Sequence, residues 1–298
     1  MCAFSSSKLS AQNTQIRGFA AATTSVDDNG KVSFGFSEQD LFITSDLTEH
    51  ISFLGETVFK YEPNSPTKFN VSVERIILKY NFKGNHNFLI GKHHTPTHYW
   101  NDTYHHGRVF FPTVERPLMF AALTMPIHTT GVSLRGLNLG RSKFGYNLMI
   151  GNGIGSTDVA DNDKYKSVTA EMHIKPRDKV QLGVSYYRDI ISAGAENHHG
   201  RIFPEKIKQH LYTATIAQFG RKFELLAEAT LATNEAESTG LVRSFTSYAY
   251  AGVRLNSKWV PYIRYDYLKY DDKEIYYKKD DINSMVVGLR YEITALSA

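Results

Sequence analysis

From Gln15 onward apolar and polar positions alternate along the chain with a period of two, and helical periodicity is hard to find. In "KFELLAEATLAT" Phe223, Leu225, Ala227, Ala229 and Leu231 share one face, with Glu224, Glu228 and Thr230 opposite and Leu226 out of phase. "KSVTAEMHI" sets Val168, Ala170, Met172 and Ile174 against Thr169, Glu171 and His173. "SMVVGLRYEI" sets Met285, Val287, Leu289, Tyr291 and Ile293 against Val286, Gly288, Arg290 and Glu292. Period two with β-branched and aromatic residues is the strand signature. The spacing predicts about fourteen strands, over 14–25, 31–45, 48–61, 68–82, 86–93, 127–139, 143–151, 164–174, 179–189, 207–219, 222–233, 243–255, 259–270 and 283–293. Each is near the ~10 residues that cross a membrane when tilted.

The connections alternate too. Asp46-Leu47, "KGNHN", "GRSK", "KPRD", "GRK" and "NSK" are short, polar turns. Between them come longer segments at 26–30, 62–67, 94–126, 152–163, 190–206, 234–242 and 271–282. A soluble sandwich has no reason to alternate short and long. An up-and-down barrel in an outer membrane does, with tight turns at one rim and long loops at the other.

The polar face decides between these readings. It carries Glu56, Glu74, Glu171, Glu224, Glu228, Arg254, Arg264, Asp266, Arg290 and Glu292, both signs in close ranks, among Ser, Thr, Gly and Tyr. That suits a water-filled lumen walled with ion pairs better than a solvent face rich in lysine. Phe59, Tyr61, Phe69, Tyr80, Phe82, Phe219, Phe223, Trp259, Tyr265, Tyr267 and Tyr270 sit near strand ends, where interfacial girdles would lie.

Composition adds limits. Lys+Arg 34 against Asp+Glu 30 gives +4, and the basic residues are scattered, so nucleic acid is not a partner. The mean hydropathy of −0.34 hides a lipid face if apolar and polar residues alternate. Cys2 is the single cysteine, so no intramolecular disulfide forms. Residues 1–12, "MCAFSSSKLSAQ", read as a signal-peptide remnant or a disordered N-terminus, ahead of one transmembrane barrel domain over 13–298.

"NFLIGKHHTPTHYWN", "TVERP" and "YNLMIGNG", with the strand–turn rhythm over 13–293, resemble the Gram-negative outer-membrane porins, especially the phosphate-selective-porin-like group. The resemblance implies an all-β, up-and-down antiparallel transmembrane β-barrel whose long third outer loop folds into the lumen and narrows it. The chain departs from the group. It is short for a sixteen- or eighteen-stranded barrel, "TALSA" follows Ile293 in place of a terminal Phe, and no arginine ladder is evident. Phosphate selectivity is therefore not carried over.

The third long segment is aromatic as well as long, and such a connection inside a compact domain is functional or disordered. Tyr99, Trp100, Tyr104, Phe110, Phe111 and Phe120 argue against disorder, because they want burial. Folded inward, the segment brings His93, His94, His98, Trp100, Asp102, His105, His106, Arg108, Glu115 and Arg116 to a pore constriction, where charged and polar rings set selectivity. A metal site is the sharper alternative, with three imidazoles and Asp102 as ligands. It lacks the His-Glu-x-x-His pattern, and Pro96 blocks a helix there, so no metal or other cofactor is expected. Gly-x-Ser-x-Gly, P-loop and acid/base-pair patterns are missing, and no enzyme is expected.

Three functions stay open. The first is a porin-like channel for passive transport of small hydrophilic solutes or ions across the bacterial outer membrane, with the lipid bilayer and lipopolysaccharide around it. The second is a non-conducting barrel that acts as scaffold, adhesin or partner of a larger surface complex. The third is a barrel-embedded enzyme or a soluble carbohydrate-binding β-domain.

Overall fold

The computed structural model describes residues 13–62, 66–104, 111–122, 125–153, 160–196, 201–277 and 281–293, apart from the side chain of Ser37. Fourteen strands form one sheet in sequence order, each antiparallel to the next. They are β1 (Asn13–Val26), β2 (Val32–Asp46), β3 (Ile51–Tyr61), β4 (Phe69–Lys83), β5 (His86–His94), β6 (His128–Leu139) and β7 (Phe144–Gly151). They continue as β8 (Ser167–Arg177), β9 (Val180–Ile191), β10 (Ile207–Phe219), β11 (Phe223–Ala236), β12 (Gly240–Val253), β13 (Trp259–Lys269) and β14 (Ile282–Tyr291). Two short helices, α1 (Tyr99–Thr103) and α2 (Leu118–Ala121), lie in the β5–β6 connection. This is the up-and-down barrel architecture that the alternation predicts. Among the described residues, the pairings end at β1 on one side and β14 on the other.

The two faces separate as period two requires. On β14, Met285, Val287, Leu289 and Tyr291 are exposed, and Val287 reaches 71%. On β11, Glu224, Leu226, Glu228 and Thr230 are buried, and Leu226 is fully so. Apolar side chains thus cover the outside, while carboxylates, hydroxyls and a few large apolar groups point in. A globular protein does the reverse, and the inversion marks a barrel that meets lipid outside.

The predicted connection at 234–242 is shorter than expected. β11 and β12 continue into it, pairing as far as Ala236 with Gly240, whose φ of +65° suits glycine at the tight turn. Two aromatics expected in a girdle are on the inner side instead. Phe219 contacts Tyr99 and Tyr104, and Tyr270 packs on Tyr277. Phe219 aligns with buried Glu224 across the β10–β11 turn, so register places it inside. Tyr61, Phe69, Tyr80, Phe82, Phe223, Trp259 and Tyr265 are exposed.

The interior holds an apolar core of its own. Trp100, Phe111, Met119, Phe120 and Met125 from the β5–β6 segment meet Tyr187, Leu211, Leu226, Tyr248, Tyr250 and Leu268 from the wall. Two further connections join it, through Ala195 and Phe203 (β9–β10) and through Tyr270, Tyr276 and Tyr277 (β13–β14). The aromatic demand of the connection read at 94–126 is met, among its described residues, by burial of Trp100, Phe111 and Phe120 against the wall, and Phe110 lies outside the described residues.

Candidate functional site

The β5–β6 segment is pinned where it leaves and rejoins the wall. Thr95 donates its backbone N–H to Ile127 O at 2.9 Å. The Asn101 amide donates to Thr95 O and Ile127 O at 3.0 and 2.8 Å. Ser185 on β9 donates its hydroxyl to Thr97 O at 2.6 Å. From there the chain turns inward.

Neither helix of the segment has a side-chain cap of its own. Uncapped helix N–H groups must be satisfied elsewhere when buried. The wall does this with carboxylates. Glu228 accepts the backbone N–H groups of Tyr99 (2.6 Å) and Trp100 (3.1 Å), and the hydroxyls of Thr215 (2.8 Å) and Tyr248 (2.6 Å). Asp266 accepts the N–H of Leu118 at 2.9 Å. Arg264 pairs with Asp266 at 2.8 Å and donates to Thr113 Oγ1 at 2.8 Å and to Glu115 O. Arg290 donates to Pro112 O at 3.2 Å. Register explains why these groups meet. Thr215, Glu228, Tyr248 and Asp266 lie directly opposite one another across β10 to β13, one rung of the wall.

The other carboxylates and guanidiniums on the inner face are also engaged. Glu224 pairs with Arg254 (2.6 Å) and Arg290 (2.9 Å), and Glu292 pairs with the same two arginines. Glu171 pairs with His173 at 2.7 Å. Glu56 pairs with Arg75, and Glu74 lies 3.0 Å from His128. All ten inner-face residues therefore lie on the buried or half-buried rows, and Glu228, Arg264, Asp266 and Arg290 bond the segment inside the barrel.

The segment's own candidates divide. His93, His94, His98 and Trp100 are buried, with Trp100 only 1% exposed. That corrects the expectation that solute passes these four rings. His98 Nε2 sits 2.7 Å from Thr230 Oγ1 on β11, and Nδ1 sits 3.0 Å from Thr97 Oγ1. Burial pulls its pKa down from 6.5 to about 3. Burial also raises the phenols of Tyr99 and Tyr104. Trp100 is ringed by Tyr104 and Phe111 at 5.1 Å and by Phe120 and Tyr248 at 6.2 and 6.0 Å. Asp102 and Glu115 are exposed, and Arg116 is half-buried. Asp102 bonds Arg135 of β6 at 2.9 Å. His105, His106 and Arg108 lie outside the described residues.

Among the described residues no three His, Cys, Asp or Glu side chains converge as a metal-binding group. His94 comes near His128, with ring centroids 5.5 Å apart, while His98 turns away to Thr230.

Sequence reasoning missed the partners. A cleft lies between the segment's first turn and the inner wall of β6 to β10. Its lining includes Tyr99, Asp102, Arg135, Asn147, Glu171 and His173. Arg135, Asn147 and Glu171 stand opposite one another on β6, β7 and β8. Alternation places Asn147 and Arg135 inside, but only register reveals the shared row. Glu274, in the β13–β14 connection, was missed too. It is 1% exposed and accepts from Asn234 (3.1 Å), Ser244 (3.2 Å) and the N–H of Tyr276 (2.8 Å).

No family model matches this sequence, and no curated protein matches it. Solved structures do. OmpT, an outer membrane protein of Vibrio cholerae, aligns at 13% identity over 95% of this chain and 98% of that one, with a TM-score of 0.47. An anion-selective porin from Comamonas acidovorans aligns at 12% identity over 94% and 99%, with a TM-score of 0.43. The outer membrane channel DcaP of Acinetobacter baumannii aligns at 10% identity over 88% and 80%, with a TM-score of 0.54. Identities this low speak to fold alone, and with DcaP the fold is shared: this chain is built as an outer-membrane β-barrel.

Proposed function

We propose that this chain is an outer-membrane channel through which small hydrophilic solutes diffuse passively, past a constriction made by the β5–β6 segment. One observation carries the reading. The segment is fastened chiefly along β11 to β14, at Glu228, Arg264, Asp266 and Arg290, with single side-chain bonds to Ser185 and Arg135, while the cleft along β6 to β10 keeps a polar lining. A segment held chiefly on one side narrows a lumen without sealing it, and polar groups at the narrow point replace part of a solute's hydration. In this reading Asp102, Arg135 and Glu115 border the passage, and His93, His94, His98 and Trp100 hold its shape. Nothing in it requires catalysis or a bound cofactor, and the bilayer with its lipopolysaccharide is the surrounding medium.

A second reading has an observation in its favour. The β9–β10 and β13–β14 connections also enter the interior, where Phe203 stacks on Tyr276 at 5.1 Å and Arg201 donates to Tyr276 O at 2.7 Å. A barrel filled by three segments suits a non-conducting scaffold or adhesin. Single-channel recording of the purified protein in a planar bilayer separates the two. Stepwise conductance supports the channel, and silent insertion confirmed by heat-modifiable gel migration supports the scaffold.

A further inference from the structure

The cleft beside the β5–β6 segment is a built polar site whose unmet hydrogen-bonding capacity is of one kind. Arg135 Nη2 lies 2.9 Å from Asp102 Oδ2, a matched charge pair, and His173 Nδ1 lies 2.7 Å from Glu171 Oε1. Two buried atoms that line the cleft have no hydrogen-bond partner among the described residues, Asn147 Oδ1 and His173 Nε2, in residues each only 8% exposed. With Nδ1 donating to the Glu171 carboxylate, Nε2 of a neutral imidazole is an acceptor, as is an amide oxygen. The wall therefore asks for donors. Buried polar atoms are normally satisfied, and an exception needs an explanation. The opposite wall is the segment's first turn, where Pro96 and Tyr99 offer apolar surface. The ring of His173 fits there because position 145 is glycine. A Cβ on Gly145 would come within 2.3 Å of Nε2.

We infer that this cleft binds a neutral polyhydroxylated solute, a monosaccharide-like ring, with its hydroxyls donating to Asn147 and His173 and its C–H face against Tyr99 and Pro96. A hydroxyl-rich ring matches every feature. It brings donors, carries no charge to upset the Arg135–Asp102 pair, and has an apolar face for the turn. The inference names the solute class for the proposed channel and rests on that reading for its biological sense, while the binding itself stands apart from conduction.

The test therefore measures binding separately from current. Full-length protein in a detergent without a sugar headgroup is titrated with D-glucose by saturation-transfer NMR, with choline chloride as the cationic probe. D-glucose should bind and choline should not. Asn147→Leu should weaken glucose binding about tenfold, the loss expected when one buried hydrogen bond is removed. Should that variant fail to fold, Asn147→Ala removes the same oxygen without added bulk and must show the same loss. Absence of glucose binding, or equal affinity in the Asn147 variants, overturns the inference. So does choline binding with glucose inert, which makes the cleft a cation site. If glucose binds as expected while bilayers stay silent, the channel reading falls and the sugar site remains.

Discussion

Glu228→Ala is the sharpest perturbation of this fold, because one carboxylate terminates four hydrogen bonds and two of them hold the inward segment. The variant orphans the N–H groups of Tyr99 and Trp100 and the Tyr248 hydroxyl, all in a water-poor interior. Each orphaned buried donor costs about 1–3 kcal/mol, and relaxation makes the sum less than additive, so about 3–6 kcal/mol is expected at the first turn. That is comparable to what burial of Trp100 supplies, since removing a buried Trp typically costs about 3–5 kcal/mol. The first turn should therefore detach while the second helix stays, because Asp266 still accepts from Leu118. The strand ladders are untouched, so the barrel persists. Three readouts follow: larger or noisier conductance steps, red-shifted Trp100 emission, and protease cleavage near α1, with heat-modifiable migration retained. Wild-type behaviour in all three would refute the idea that Glu228 fastens the segment.

Val287→Arg on the exposed row of β14 should cost roughly 2–4 kcal/mol in urea refolding from bilayers, and Ser284→Arg on the inner row of that strand much less; equal costs would reverse the assigned faces. Asp266→Ala strands Arg264, which is 2% exposed, and should cost about 3–5 kcal/mol, with Arg264→Met in the same chain recovering part of it; additive losses would mean the pair is not coupled. His98 supplies a pH test. Its folded pKa of about 3 lies below the unfolded 6.5, so on acidification the unfolded chain takes up a proton that the native state refuses. Stability should fall by up to about 1.4 kcal/mol per pH unit between those values, and be unaffected by His98 above pH 6.5. His98→Gln should flatten the slope in urea titrations, and parallel slopes would show that His98 is not buried neutral. By the same reasoning His98 contributes no charge to permeation between pH 7.5 and 5.5.

Strand positions were legible because period two is local. A residue's side of the sheet follows from its parity, and Val184, Met285 and Glu224 sit where alternation puts them. Helices α1 and α2 were not legible. Each is a single turn whose N–H groups are capped by carboxylates more than a hundred residues away, so no capping signal lies next to them. Pro96 does stop a helix at its own position, as expected, but α1 begins just beyond it.

Parity also gives a side without giving a partner, and that difference changes what a residue is taken to be. On alternation alone Glu228 is a lumen carboxylate that water would satisfy, and arginine there would be tolerated. In the structure it is 2% exposed and receives two backbone N–H groups, so arginine would set a buried cation against two donors that cannot accept from it. The information that distinguishes these cases is register. Asn147 stands between Arg135 and Glu171, and Glu228 between Thr215 and Tyr248. Register in turn is set pair by pair, by the turn and any bulge between two neighbouring strands, such as the extra residue at Glu74 that shifts β4 against β3. A single insertion in a tight turn such as the one between β10 and β11 should therefore do more than lengthen it. It would break the Thr215–Glu228 alignment and release α1, leaving each strand's own alternation intact. Moving the same insertion to the β1–β2 connection, far from the anchoring rung, should leave Trp100 emission at its wild-type position. If both insertions shift that emission equally, the anchor is not a property of register and the account of the site given by the wall's rungs is wrong.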